Sequence, residues 1–145
     1  MQPEPATICT IGYERRSLDE FLELLRGAPV DTLIDTRHRA GSRKRGFART
    51  ALTEALRRIG IRYEHRRDLG TPPHLMEVMR TTGSYSLDAY EEFFEAQDEL
   101  LSSLTEVAGT TRTVLLCYEL DPGVCHRSIL AKHVAREAGL RIVHL

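Results

Sequence analysis

Short apolar runs alternate along the chain with longer stretches whose apolar residues recur at helical spacing. Thr7 to Ile11 is rich in β-formers and stops at Gly12-Tyr13. Ser17 then opens a helix carrying Leu18, Phe21, Leu22 and Leu25, and Glu20 completes a capping box with it. Gly27 and Pro29 end that helix, and Val30 to Thr36 reads as a second strand running into Asp35-Thr36-Arg37. From Arg37 to Phe47 there is no periodicity, which predicts a long loop of the kind that is usually functional or disordered. Leu52, Leu56 and Ile59 mark a helix stopped by Gly60, followed by a strand from Ile61 to His65. Leu69-Gly70 opens a second irregular stretch, containing Pro72-Pro73 and reaching Tyr85, expected as a lid or wall. One helical stripe then covers Leu87 to Val107 through Tyr90, Phe93, Phe94, Leu100, Leu101 and Leu104. Thr113 to Cys117 has the continuous apolar character of a strand buried on both faces. The next helix carries Ile129, Leu130, Ala131, Val134, Ala135 and Ala138 and stops at Gly139, and Leu140 to Leu145 closes the chain as a fifth strand.

Strands alternating with helices predict an α/β fold: a single domain over residues 1–145, with a mainly parallel sheet of about five strands flanked by helices. The layering is Rossmann-like or flavodoxin-like, in three layers. Ligands of such sheets bind outside the carboxyl ends of the strands. That rule gathers Gly12 and Tyr13, Asp35 and Arg37, Leu69 and Gly70, and Glu119 with Cys125 to Arg127 at one edge.

A net charge of −1 names no partner, but its distribution is uneven. Eleven of the 20 Lys and Arg lie between Arg37 and Arg67, against two acids, Glu54 and Glu64. Between Ser86 and Val107 stand seven acids and no Lys or Arg, so a basic side and an acidic side are expected. The polar start Met1-Gln2-Pro3-Glu4-Pro5 and the lack of a long apolar run point to a cytoplasmic protein with no membrane partner. Oligomeric state is not legible. Three cysteines, Cys9, Cys117 and Cys125, two of them in apolar strand-like runs, suit a reducing compartment, and no disulfide is expected.

The stretch Cys117 to Arg127 combines a strand exit, a turn and a helix entrance. His126 and Arg127 place two potential cations where a helix N-terminus ordinarily favours Asp or Glu, which invites an anion. His126 is then a proton donor or acceptor, with Glu119 or Asp35 as its partner in acid–base work. Cys125, beside Arg127 at the helix end, has the surroundings of a reactive thiolate, although a nucleophile and an Arg only two positions apart do not match a cysteine-phosphatase or sulfurtransferase loop. Cys117, Cys125 and His126, with Glu119, also offer a divalent metal set, against which their sequence spacing argues; no cofactor is otherwise indicated. Arg37, Arg43 and Ser42 on the basic loop and Tyr13 with Gly12 on the first strand's exit complete the anion-binding candidates. Asp35 and Arg37, two apart at a strand end, point the same way, so an ion pair competes with a ligand role for them.

Four blocks carry a family likeness: Ile11-Gly12-Tyr13 with Ser17; Asp35-Thr36-Arg37 with Ser42-Arg43 and Phe47; Gly60-Ile61 with Tyr63 and Leu69-Gly70; and Cys117, Glu119, Cys125-His126-Arg127 and His144. In these the chain resembles the family catalogued as domain of unknown function 488, which includes the YeaO-like proteins. It departs at Thr71 and Tyr118, where that family usually has a glycine and a small residue. The resemblance implies a globular α/β domain with clustered polar motifs and brings no activity with it.

The residues themselves favour an enzyme acting on a phosphate-bearing substrate, a nucleotide or nucleic acid, by hydrolysis or group transfer. Arg127, Arg37 and Arg43 would hold the anion, and His126 with Glu119 or Asp35 would move protons. Two other readings stay open. One is a non-catalytic nucleic-acid-binding module that uses the Arg-rich loop, and the other a thiol- or metal-dependent redox protein centred on Cys125.

Overall fold

The computed structural model describes residues 6–82 and 87–145. Five strands, β1 (Thr7–Gly12), β2 (Thr32–Asp35), β3 (Arg62–His65), β4 (Thr113–Cys117) and β5 (Arg141–His144), form one sheet in the order β3-β2-β4-β1-β5. Every pairing is parallel. The helices are α1 (Leu18–Arg26), α2 (Arg49–Arg58), α3 (Pro73–Thr82), α4 (Leu87–Glu95), α5 (Asp98–Thr110) and α6 (His126–Ala138). The α/β, three-layer expectation holds.

Side chains alternate across a strand, so each strand feeds two cores. Ile8, Ile34 and Leu115 face one layer, packed with Tyr90, Phe94, Leu104, Leu130 and Val134 of α4, α5 and α6. Cys9, Ile11, Leu33, Val114 and Leu116 face the other, packed with Phe21 and Leu25 of α1 and Leu52 and Leu56 of α2. β4 and β1 are buried along nearly their whole length, whereas the edge strands β3 and β5 are partly exposed. This explains why Thr113 to Cys117 is continuously apolar and Arg62 to His65 is not.

The helix signals are realised as side-chain chemistry. Ser17 Oγ accepts from Glu20 N (3.1 Å), and the Glu20 carboxylate accepts from Ser17 N (3.3 Å). Gly139 ends α6 in the left-handed region at φ 67°. Two expectations are corrected. The stretch after Leu69-Gly70 is not irregular throughout: Pro73 starts α3, as suits a residue whose missing N–H is unneeded in a first helical turn. The part of that expected wall from 83 to 86, including Tyr85, lies outside the described residues, as does the polar start at 1–5. The acidic stripe is also two helices, broken between Glu95 and Asp98. Unbroken over Leu87 to Val107 it would be roughly 32 Å long, whereas strands of four to six residues span at most about 20 Å. The break lets Tyr90 and Phe94, and then Leu101 and Leu104, all reach the same core.

β1 continues through α1 across one face, while β4 continues through α6 across the other. The carboxyl ends of these two neighbouring strands are therefore the switch point of the sheet, the crevice position in folds of this kind. Gly12, paired with Cys117, lies at its floor, and a Cβ there would run into the carbonyl of Glu119. The chain leaving β4 can fold back over β1 only because this residue is glycine. Gly12→Ala is expected to destabilise by about 1–3 kcal/mol in urea unfolding, since backbone rather than a movable side chain occupies the space; an unchanged midpoint would show that the two segments are free to part.

Candidate functional site

The turn after β4 is built to return Cys125 to Cys117. Tyr118 O accepts from Tyr13 N (3.2 Å) and Glu14 N (2.9 Å), which fastens the exit of β4 to that of β1. Asp121 then accepts from Gly123 N (2.8 Å) and starts a single 3-10 turn over Pro122–Val124, after which Cys125 stands at the N-cap of α6. The sulfurs of Cys117 and Cys125 are in direct contact, and only Cys9 is a free cysteine. The expectation of three separate thiols is thereby corrected. Spacing along the chain concealed the meeting, because a turn and a helix entrance close the eight-residue gap in space.

His126 joins them. A ring nitrogen of His126 and the two sulfurs all lie within 4.8 Å of one another, and all three residues are buried. Nε2 lies 3.0 Å from Thr36 Oγ1 and 3.1 Å from Thr36 O. The Thr36 hydroxyl proton already goes to Leu116 O (2.7 Å), and a carbonyl only accepts, so Nε2 is the donor. Nδ1 therefore carries a lone pair that no described residue engages. Burial pushes His126 down to about 4, so the ring is neutral near pH 7.

Arg127 is fully buried, with no carboxylate among its hydrogen-bond partners. Nη1 donates to Glu119 O (2.5 Å) and to Cys117 Sγ (3.1 Å), Nη2 donates to Leu120 O (3.2 Å), and Nε has no partner. Burial lowers this guanidinium to about 10. A cation at a helix N-terminus costs about 0.3–1 kcal/mol, whereas burying a charge costs several kcal/mol. The acceptors around Arg127 therefore matter more than the helix end. One of them is a sulfur, and a thiolate there would supply the missing negative charge. Glu119 Oε2 lies 3.4 Å from the same sulfur, and burial holds the Glu119 carboxyl above the usual carboxylate range.

Asp35 and Arg37 do not join this cluster. Asp35 and Thr36 are successive residues, so they point to opposite faces, Thr36 toward His126 and Asp35 into the α1–α2 layer. There Arg37 donates from Nη2 (2.7 Å), Nε and its backbone N–H to the Asp35 carboxylate, and from Nη1 to Phe47 O (2.8 Å) and Tyr13 OH (3.2 Å). Tyr63 OH donates to Asp35 Oδ2 at 2.5 Å, and His65 Nε2 meets Arg37 O at 2.6 Å. Burial by itself would lower Arg37, but Asp35 more than offsets this and raises it; burial and Asp35 together raise Tyr63. Both charges of the pair are committed to protein partners.

The basic loop rises beside the crevice. Phe47 stacks on Tyr13 with ring centroids 4.6 Å apart, Tyr118 meets the edge of Tyr13, and Lys44 Nζ donates to Tyr13 O (2.9 Å). Ser42 Oγ accepts from Lys44 N (3.1 Å), a turn within the loop. Arg39, Arg43, Arg45 and Arg49 are exposed, and none forms an ion pair among the described residues. Sequence reasoning did not single out Thr36, which orients His126, or Tyr63, which completes the Asp35 pair. The available signals were position, since both sit at or beside strand ends, and their place in the blocks that carry the family likeness.

The family model described as "Domain of unknown function DUF488" matches residues 17–134 of the 145. No curated protein and no solved structure matches the chain. No helix among the described residues is long and apolar enough to cross a membrane.

Asp35→Asn leaves Arg37 buried without its counter-charge, and a loss of about 3–5 kcal/mol is expected in denaturant unfolding; a loss below 1 kcal/mol would show that water reaches the pair. For His126 the folded-state value lies below the ordinary 6.5. The unfolded chain then binds the extra proton, so the histidine's contribution is complete above about pH 6.5 and is lost as pH falls toward 4. With a chelator present, His126→Asn should flatten the pH dependence of stability across that window, and an unchanged slope would assign the dependence to other groups.

Proposed function

The chain belongs to the DUF488 family, and for this member we propose an enzyme acting on a phosphate-bearing substrate, a nucleotide or nucleic acid, by hydrolysis or group transfer. One observation carries the reading: four exposed arginines with no ion pair among the described residues stand together, Arg39, Arg43 and Arg45 on the loop whose base, Thr36, holds His126, and Arg49 at the start of α2 where that loop ends. Guanidiniums in that state suit phosphate oxygens, which they grip in pairs. Arg127 and Arg37 have a supporting part here, because their donors, Arg127 Nε excepted, already have acceptors inside the protein. Chemistry falls to the crevice between β1 and β4, where Cys117, Cys125, His126 and Glu119 meet. Glu119 is the group to move a proton, since a carboxyl held above its usual range keeps its proton nearer to neutral pH.

The test is a thermal-shift panel of nucleotides and short oligonucleotides at two salt concentrations. A ligand at a hundred times its Kd should add about 2.7 kcal/mol of stability, less at high salt, and Arg43→Glu with Arg45→Glu should abolish the effect. No shift with any phosphate-bearing ligand, or a shift indifferent to those charges, overturns the substrate class. A ligand that binds without being turned over, with Glu119→Gln binding it equally well, favours a nucleic-acid-binding module without chemistry.

A further inference from the structure

We propose that Cys117, Cys125 and His126 bind one divalent transition-metal ion, zinc by ligand type, through two thiolates and Nδ1, with Glu119 or a water in the fourth position. The ligand set fits such an ion, since thiolate and imidazole are the common zinc ligands and two cysteines, a histidine and an oxygen complete a tetrahedron. Three further observations support it.

The first is span. The Cα atoms of Cys117 and Cys125 are 7.3 Å apart. A direct disulfide ordinarily spans about 4.4–6.8 Å and above roughly 7 Å requires backbone movement. An ion at about 2.3 Å from each sulfur would hold them roughly 3.8 Å apart, which the wide Cα span accommodates once the sulfurs, in direct contact here, part. Glu119 Oε2, 3.4 Å from Cys117 Sγ, is close to the edge length of the same tetrahedron.

The second is orientation. A metal-bound histidine ordinarily gives its other N–H to a carbonyl or carboxylate, which fixes tautomer and ring direction. His126 gives its Nε2–H to Thr36, whose hydroxyl is itself fixed on Leu116 O, and no described residue engages Nδ1. The third is charge. With Cys117 and Cys125 in the reduced, two-thiol form, binding releases one proton from each, so two thiolates neutralise the ion, and an ionised Glu119 balances Arg127. Arg127 then donates to a metal-bound thiolate as an outer partner, which accounts for a buried guanidinium hydrogen-bonded to a sulfur.

The inference shares its site with the proposed function, and it names a group that could polarise a phosphate oxygen or activate water there. Its test reads metal and not turnover, so the two can fail separately. Untagged protein, purified without chelator, is expected to hold about one zinc per chain by elemental analysis. Cobalt substitution should give a thiolate-to-cobalt charge-transfer band in the near ultraviolet. Cys125→Ser should remove the band and Thr36→Val should weaken metal affinity by about 10–100-fold, while Arg43→Glu with Arg45→Glu leaves both unchanged. If Cys125→Ser prevents folding, the native cobalt spectrum and Thr36→Val carry the test. Metal-free protein whose Cys117 and Cys125 react with a thiol reagent only after reduction overturns the proposal in favour of a disulfide. Bound metal retained by a folded Cys125→Ser protein with an unchanged cobalt spectrum, or free thiols that take up no cobalt, overturns it as well.

Discussion

A guanidinium hydrogen-bonded to no carboxylate among the described residues sits at full burial, and the polar end of the sheet is arranged around it. Desolvating Arg127 costs several kcal/mol, so its donors must be met, and two backbone carbonyls, Glu119 O and Leu120 O, turn inward to meet them. That turn lays the Glu119 peptide directly on β1, which excludes a side chain at position 12. It also brings Cys117, Glu119 and Cys125 to one side of the crevice. What looks like a loop with reactive residues is thus a loop whose path is dictated by one buried cation.

Most of the fold was legible because its signals are local. The period-two and period-3.6 patterns, the Ser17–Glu20 box and the Gly139 stop depend on a few neighbouring residues, and each is realised. Of the two corrections to the fold, one concerns length and the other type. Pattern alone could not place the break near Gln97, because the apolar stripe stays in phase across it and only the breadth of the sheet demands two helices. Nor could it find α3 behind a proline pair that reads as a turn.

The site was legible in part. Reading Cys117 to Arg127 as a strand exit, a turn and a helix entrance was sufficient to locate it. Its internal geometry was not accessible, because distance along the chain is a poor guide where a turn closes. Cys117 and Cys125 are separated in sequence and joined in space, while Asp35 and His126, grouped by the strand-end rule, lie on opposite faces of the sheet. Arg127 illustrates the same limit. As an exposed cation at a helix end it would call for a ligand, and only its burial reveals that it holds a loop.

The pairing of Asp35 with Thr36 has a consequence for how the chain finds its native arrangement. Asp35 reaches Arg37 and Tyr63 on one side of β2, and Thr36 reaches Leu116 and His126 on the other. Sliding β2 by one residue against β4 would exchange the two faces. It would turn the Asp35 carboxylate toward Tyr90 and the apolar layer behind it, and detach both networks together. A central strand of four residues has few ladder hydrogen bonds with which to resist slippage. Its two polar neighbours act as a proofreading pair, so that only one alignment of the sheet satisfies both faces.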